Sequence, residues 1–436
     1  MKSHRALLIS IGIVAVLFVA VITYGILNDE TSYSTHSGLG SSISLSPDDA
    51  TLAFSYYENG KEAIYLGSLE DGEVRKVTEP AEQDHRMPQF SPVGEGFLYL
   101  AADSAGVQSL HHKTGETGES IKLTGTEVHV SDAAFSPDGS TIYYMAIPAE
   151  DFLKPEGEKE NGADLFSVNA EGGDFLKLTD KDSFAMDDLS VSGDGTTLYY
   201  TEFDGVQRLV AYSIEEGMER AYLPQYISSD LYHPDFFNDE GLLAYTAVSE
   251  ESKNNGSLFE YELFLMETSS GETKRLTDFN ASVASPAFFH HENRIAILMQ
   301  PNWPSQPEDY EAMTVDYNSG ETASVSLDFP ELSTEFQSSA LVHWLENPIT
   351  VTGLYLLLFG LLTVYCQSVL KRRYLPVKVS AVLTGTILAG SFAVAVFDPW
   401  TAIGLFALAA GLAVCTGIIL VFAYIYRRLG KSTNET

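Results

Sequence analysis

One turn and its flanking strands recur six times along this chain, and that recurrence limits what it can fold into more than any other feature. In its fullest form the unit is Phe135-Ser136-Pro137-Asp138-Gly139 followed by Thr141-Ile142-Tyr143-Tyr144. It reads as a strand, a tight turn in which Pro137 presets φ and Gly139 accepts positive φ, and a second strand. Asp164-Leu165-Phe166-Ser167-Val168 supplies a third strand, Glu171-Gly172-Gly173 a turn, and Phe175-Leu176-Lys177-Leu178-Thr179 a fourth. The residues equivalent to Phe135 are Leu45, Phe90, Val191, Phe236 and Phe288. Most copies close on a Gly turn and a Leu-Thr pair, as in Leu123-Thr124, Leu178-Thr179 and Leu276-Thr277. A period of about 40–50 residues built from four short antiparallel strands is that of a propeller blade, which cannot bury both faces alone and stacks on its neighbours. Six copies predict an all-β six-bladed propeller over residues 42–328. Units four and six depart from the pattern, with Ser192-Gly193 and His290-His291 in the turn, so their strand ends are the least defined.

The Phe-Ser-Pro-Asp-Gly turn and the Arg/Lys-Leu-Thr ending resemble the repeats of the TolB-like propeller family, a pattern shared with the propellers of prolyl oligopeptidase and dipeptidyl peptidase relatives. The resemblance covers roughly residues 40 to 328. It implies a binding platform, since the peptidase members carry catalysis on a separate hydrolase domain. No Gly-x-Ser-x-Gly nucleophile elbow occurs in the sequence.

Outside the repeats the chain is made for a membrane. Lys2 and Arg5 precede the apolar run Ala6 to Leu27, which is long enough to cross a ~30 Å hydrocarbon core. A cleaved signal peptide is the rival. The run exceeds the usual apolar length of about 7–15 residues and ends without an Ala-x-Ala site, which favours an uncleaved signal anchor over residues 1–28. No cysteine lies near it, so a lipoprotein anchor is excluded. Residues 29–41 are Ser-, Thr- and Gly-rich and read as a spacer or an edge strand closing the ring; 329–346 read as a linker. Ile349–Leu370, Val377–Phe397 and Thr401–Tyr426 are three further spans within 347–430, followed by a cytoplasmic tail at 431–436. Lys371, Arg372, Arg373 and Lys378 separate the second and third spans, and Arg427, Arg428 and Lys431 follow the fourth. Short basic loops stay cytoplasmic, so both termini are expected inside and the propeller outside the cytoplasmic membrane. The three C-terminal spans hold no acidic or basic residue in their interiors and repeat small residues, as in Ala407-x-x-x-Gly411, which fits helix packing better than transport.

Charge separates the same way. Of 25 Lys and Arg, 16 lie in residues 28–346, together with 58 of the 60 Asp and Glu, so this region carries 16 − 58 = −42 against −35 for the chain. Such a field repels nucleic acid and anionic lipid, and attracts cations or basic peptides to an acidic surface. The alternative is adaptation to a salty or alkaline exterior. Both cysteines, Cys366 and Cys415, fall in membrane spans, so packing alone must hold the ring. His111-His112 and His290-His291 are adjacent pairs without zinc spacing, and no Asp-x-Asp-x-Asp-Gly loop occurs; no metal or other cofactor is expected.

Insertions at Pro148–Ala163, Glu250–Glu260 and Pro301–Asp309, the last holding Trp303, read as rim loops. The candidate site comes from the repeats themselves, because the start of each innermost strand faces the axial channel. Three positions before each anchor stand Ser42, Met87, Asp132, Asp188, His233 and Ser285, and one position earlier Ser41, Arg86, Ser131, Asp187, Tyr232 and Ala284. Arg86, Asp132, Asp187, Asp188 and His233 are therefore candidates for binding a cation, an amine or a peptide end at the channel mouth. The alternative is that Asp caps strand entry by accepting a backbone N–H. The expected function is binding or scaffolding of a protein or peptide partner in the cell envelope. The competing readings are a glycan or peptide hydrolase using Asp132 and Asp188, and a sensory subunit of a membrane complex.

Overall fold

Three of the recurring turns close on their own side chains. In a computed structural model, which describes residues 2–27, 33, 36–80, 83–94, 96–115, 117–155, 157–203, 205–223, 231–237, 241–255, 259–329 and 347–432, Ser136 Oγ donates to Asp138 Oδ1 at 2.6 Å and accepts from Thr141 N at 3.0 Å. Asp138 also accepts from Ser140 N. These bonds hold its carboxyl down at about 2. Gly139 takes φ 70°, and a Cβ there would sit 2.4 Å from Val93 of the preceding blade. Ser46 with Asp48, and Ser192 with Asp194, repeat the arrangement. The fourth unit therefore keeps the turn although Gly193 replaces the proline.

The chain divides into two compact units, Thr31–Glu331 and the pair Met1–Glu30 with Leu332–Thr436. In the first, blade one is β1 (Gly38–Leu45), β2 (Thr51–Glu58), β3 (Lys61–Ser68) and β4 (Val74–Lys76). Blade two is β5 (Asp84–Phe90), β6 (Phe97–Ala102), β7 (Gln108–Lys113) and β8 (Ser120–Lys122). Blade three is β9 (Val128–Phe135), β10 (Thr141–Pro148), β11 (Asp164–Asn169) and β12 (Leu176–Lys177). Blade four is β13 (Ala185–Val191), β14 (Thr197–Phe203), β15 (Gln207–Ser213) and β16 (Met218–Ala221). Blade five is β17 (Tyr232–Phe237), β18 (Leu242–Val248), β19 (Tyr261–Glu267) and β20 (Thr273–Arg275), and blade six β21 (Ser282–Phe288), β22 (Arg294–Gln300), β23 (Glu311–Asp316) and β24 (Thr322–Ser324). Within a blade the strands pair antiparallel in chain order; one parallel pair, Tyr261 with Ser282, joins blades five and six. The six anchors lie at the ends of the first strands. β1 begins at Gly38, ahead of the expected start at residue 42. The insertion after β10 carries a helical turn, α2 (Ala149–Phe152), and the one after β18 carries α3 (Glu250–Asn255).

The recurring Leu-Thr ending has a definite task. The Thr hydroxyl accepts the N–H of a third-strand residue fourteen positions back: Ile64 to Thr78, Leu110 to Thr124, Leu165 to Thr179 and Leu263 to Thr277, at 2.8–2.9 Å. The leucine drops into the core between blades, as Leu123 and Leu276 do.

Among the described residues no named strand is shared between the first and last blades; two isolated backbone bridges, Leu39 with Tyr310 and Glu73 with Asp328, and a set of side chains close the ring. Leu39, Ile43, Leu45 and Phe54 share a core with Phe289, Ala296 and Leu298. Phe329 stacks on Tyr56 with centroids 4.6 Å apart. Asp49, at φ 59° where blades two, three and four have glycine, accepts from His290 N at 2.8 Å, His291 N at 2.7 Å and pairs with His290 Nδ1 at 2.9 Å. Burial opposes its ionisation, but these bonds outweigh it and hold the carboxyl below its ordinary value.

In the second unit, α1 (Lys2–Leu27), α4 (Pro348–Ser368), α5 (Leu375–Val394) and α6 (Pro399–Ser432) are each long and apolar enough to cross a membrane. Phe18 of α1 packs on Tyr355 of α4 at 5.9 Å, with Val14 and Val21 buried on the same stripe. The Tyr355 hydroxyl meets Ser380 Oγ at 2.7 Å, which meets Thr416 Oγ1 at 2.6 Å. This hydroxyl chain ties α4, α5 and α6 together, where apolar surface alone gives helices no drive to associate. Gln367 Nε2 donates to the carbonyl of Ala423 within α6 and to that of Arg373 between α4 and α5.

Asp49→Gly separates turn geometry from ring closure. It relaxes the backbone yet removes the acceptor for two N–H groups, so the full chain in detergent should lose about 2 kcal/mol of stability. An unchanged or higher melting temperature would show that the Asp49 clamp does not hold the ring shut.

Candidate functional site

The first strands of neighbouring blades pack against one another at five of the six seams, and each slips register once in its pairing with the second strand. The slips fall between Leu39 and Ile43, Arg86 and Gln89, Val130 and Asp132, Asp187 and Ser190, Tyr232 and Asp235, and Ala284 and Ala287. In four blades the first bulged residue is left-handed: Met87 at φ 53°, Asp188 at 61°, His233 at 48° and Ser285 at 50°. Such a backbone costs on the order of 1–3 kcal/mol in a non-glycine residue. Pro88, Pro234 and Pro286 follow three of them, and proline has no N–H to strand at a bulge. A threonine on the second strand seals the bulge. Thr201 Oγ1 donates to Asp188 Oδ2 at 2.8 Å and to the Asp187 carbonyl, while Thr246 Oγ1 donates to the Tyr232 carbonyl and meets His233 Nδ1 at 3.2 Å.

The bulges turn inner-strand side chains toward the next blade. Asp132 Oδ1 accepts from Ala133 N and its Oδ2 from Leu189 N of blade four, both at 2.7 Å. Ser285, at the same repeat position in blade six, accepts from Ile43 N of blade one at 3.1 Å. One position before the anchors, Ser44 accepts from Phe90 N at 3.0 Å and Asp235 from Phe288 N at 2.8 Å. Four of the six seams are thus stitched by the same two positions of the repeat. At the other two seams the equivalent residues are Gln89 and Ser190, whose Oε1 and Oγ are buried with no hydrogen-bond partner among the described residues.

The five residues singled out from the sequence occupy different situations. Asp132 is the N–H acceptor of the capping alternative, extended across a seam. Asp187 and Asp188 are close enough to raise the Asp132 carboxyl, which burial pushes up to about 7. Asp187 keeps solvent access at the strand start. The protein around it and the charge of Asp188 still push its carboxyl up to about 6, and it has no hydrogen-bond or ion-pair partner among the described residues. Arg86 reaches back to Glu62 of blade one at 3.1 Å, and His233 is held on Thr246. The structure therefore brings three aspartates together at the blade three–four seam and leaves Arg86 and His233 with other partners.

Sequence reasoning missed Asp235 and the acids buried at the starts of third strands. Glu62 is raised by burial and lowered in part by Arg86. Asp164 and Glu262 accept from the Leu-Thr threonines Thr179 and Thr277. The available signal was an acid about fifteen residues before three of the four endings, those at Thr78, Thr179 and Thr277, with Ser109 in that place in blade two. No group of three or more His, Cys, Asp or Glu is arranged to hold a metal among the described residues.

Asp132, Asp187 and Asp235, the last at about 6, all have folded values above the 3.8 of a free aspartate. The folded state then binds more protons, and stability from these groups is full below about pH 4 and falls as pH rises to about 7. Asp187→Asn should flatten part of that fall in thermal melts without lowering the melting temperature at pH 5. Asp132→Asn, which turns an N–H₂ toward a buried N–H, should cost about 1–3 kcal/mol at every pH. Equal behaviour of the two variants would contradict the assignment.

No protein-family model matches the chain, and no curated protein is similar to it in sequence. Among solved structures, TolB from Acinetobacter baumannii is similar over 66% of this chain and 66% of its own, with 12% identity and a TM-score of 0.50. An oligogalacturonate lyase in complex with manganese is similar over 68% of this chain and 79% of its own, at 13% identity and TM-score 0.48. A puromycin hydrolase is similar over 67% and 54%, at 13% and 0.46. At these identities the likeness concerns fold alone: residues 38–329 form a propeller similar to that of TolB.

Proposed function

We propose that this chain is a membrane-anchored propeller that binds a protein or peptide partner outside the cytoplasmic membrane. The observation that carries this reading is how the inner-strand carboxylates are engaged. Glycoside hydrolysis needs two carboxyl groups free to face one bond, roughly 5–10 Å apart. Here both oxygens of Asp132 accept backbone N–H groups and Asp188 seals a bulge on Thr201. That favours a platform over a hydrolase. Asp187 is the carboxylate offered outward, with Asp132 and Asp188 behind it, while Arg86 and His233 hold their own places on Glu62 and Thr246 at other blades of the same ring. In this reading residues 1–28 anchor the chain, 42–328 form the propeller, 329–346 link it to the helices of 347–430, and 431–436 are a cytoplasmic tail.

The basic residues beside the spans support inside termini. The packing of α1 on Tyr355 supports a retained N-terminal helix, because cleavage would strip Val14, Phe18 and Val21 from the bundle. The −42 of the region between the first and second spans suits an aqueous exterior rather than contact with nucleic acid or anionic headgroups. The test is a photo-cross-linking residue placed singly at Asp187, at Gly94 on the opposite strand end and at other ring positions in intact cells. A discrete extracytoplasmic protein trapped from the ring is the expected result. Cytoplasmic adducts, or none at any ring position, would refute the proposal.

A further inference from the structure

The ring carries an apolar patch beside Asp187, whose carboxylate has no partner among the described residues. Phe184, Phe203 and Val206 are 66%, 42% and 50% exposed, and the two phenyl rings lie 6.4 Å apart. They gather because Phe184 leads into β13, Phe203 ends β14, and Val206 lies in the turn to β15. Ala185 pairs with Phe203 and Asp187 with Thr201, so Asp187 and Phe203 share one face of the sheet. Two residues of strand separate their pairs, roughly 7 Å. The insertion of blade three adjoins the patch through the bridge between Ala163 and Ser183. Single exposed apolar residues are ordinary, whereas a contiguous group with a phenylalanine pair marks a contact surface.

Charge decides what covers it. The nearby Lys181 already bridges Glu202 at 2.8 Å and Glu219 at 2.7 Å and cannot neutralise Asp187. A second copy of this chain would bring another strongly acidic surface, and an anionic membrane would be repelled. Resting on the binding-module reading, we propose that Phe184, Phe203, Val206 and Asp187 form the docking surface for a partner segment that presents an aliphatic side chain next to a lysine or arginine. The apolar side chain covers the phenyl pair and the cation meets the Asp187 carboxylate. Charge pairs of this kind speed encounter and fix register, while the buried aromatic contact supplies most of the affinity.

The test uses full chain in phosphatidylcholine nanodiscs with three fluorescent peptides of equal length, Lys/Leu, Lys/Ser and Glu/Leu in composition, read by anisotropy. Lys/Leu should bind and the other two should bind at least about tenfold more weakly. Phe184→Ser with Phe203→Ser, and separately Asp187→Asn, should each weaken Lys/Leu about tenfold. Phe175→Ser on the outer side of blade three should not. The substituted side chains are exposed, so no variant should melt below the unsubstituted protein at pH 5 and the comparison remains one of folded proteins. Equal binding of Lys/Leu and Lys/Ser, insensitive to the Phe184 and Phe203 changes, would reduce the effect to the acidic field and overturn the proposal. Concentration-dependent self-association lost in the double variant would assign the surface to a second copy and overturn it too. A partner cross-linked from other ring positions but never from Phe184 or Phe203 would reject this surface while leaving the binding module standing.

Discussion

Hydrogen bonds from inner-strand side chains to the N–H groups of the next blade are the constraint on which the rest of the ring depends. A four-stranded sheet of this length leaves both faces uncovered, so burial drives stacking but does not say where stacking stops. Here every blade is made of consecutive strands, and among the described residues only two isolated bridges, Leu39 with Tyr310 and Glu73 with Asp328, join the backbone at the end of the repeats to the first blade. Registration therefore falls to Ser44, Asp132, Asp235 and Ser285 at four seams, and to Asp49 at the closing turn. Two of these stitches are buried carboxylates, which gain directional hydrogen bonds at the expense of a desolvated charge. The bulges that aim them recur in all six blades, so the repeated strain of the inner strands belongs to the architecture as well as to any site.

Membrane helices and ring solve unlike problems with related chemistry. In the ring, apolar layers of Leu, Phe and Tyr between blades supply the drive, and hydroxyls such as Thr78 and Thr277 complete the hydrogen bonding where the fourth strand ends. In the helices, lipid removes the apolar drive and the hydroxyls of Tyr355, Ser380 and Thr416 become the links. The charge is partitioned to match, with the basic residues beside the spans and the acidic ones in the ring region.

Much of the fold was legible because turns constrain residue type. Ser, Asp and Gly recur at fixed offsets since only they supply the Oγ acceptor, the Oδ1 cap and the positive φ, and that periodicity located all six first strands, including the two with altered turns. The bulges were not legible, because a left-handed residue there can be Met87, Asp188, His233 or Ser285, and only the prolines after three of them hint at a break in pairing. The candidate site was half legible. Repeat alignment led to the strand starts where the bulges lie, but alignment ranks charge and not partner, so it could not distinguish Asp132, with both oxygens engaged, from Asp187, whose carboxylate has no partner among the described residues. Asp235 was missed because it lies one position before its anchor, where the other blades carry Ser44, Gln89, Ala134, Ser190 and Ala287. The phenylalanine pair of blade four escaped notice because exposure has no sequence signature at a strand end.

Backbone amide exchange at the seams tests the closed ring most directly. The N–H groups of Ile43, Phe90, Leu189 and Phe288 are accepted by side chains of the preceding blade rather than by a partner strand. In a closed, stitched ring these four amides exchange as slowly as the ladder amides of the second strands, since releasing them requires two blades to part. Exchange at the rate of exposed loop amides, with the second strands still protected, would show independent blades without stitches and would contradict the account.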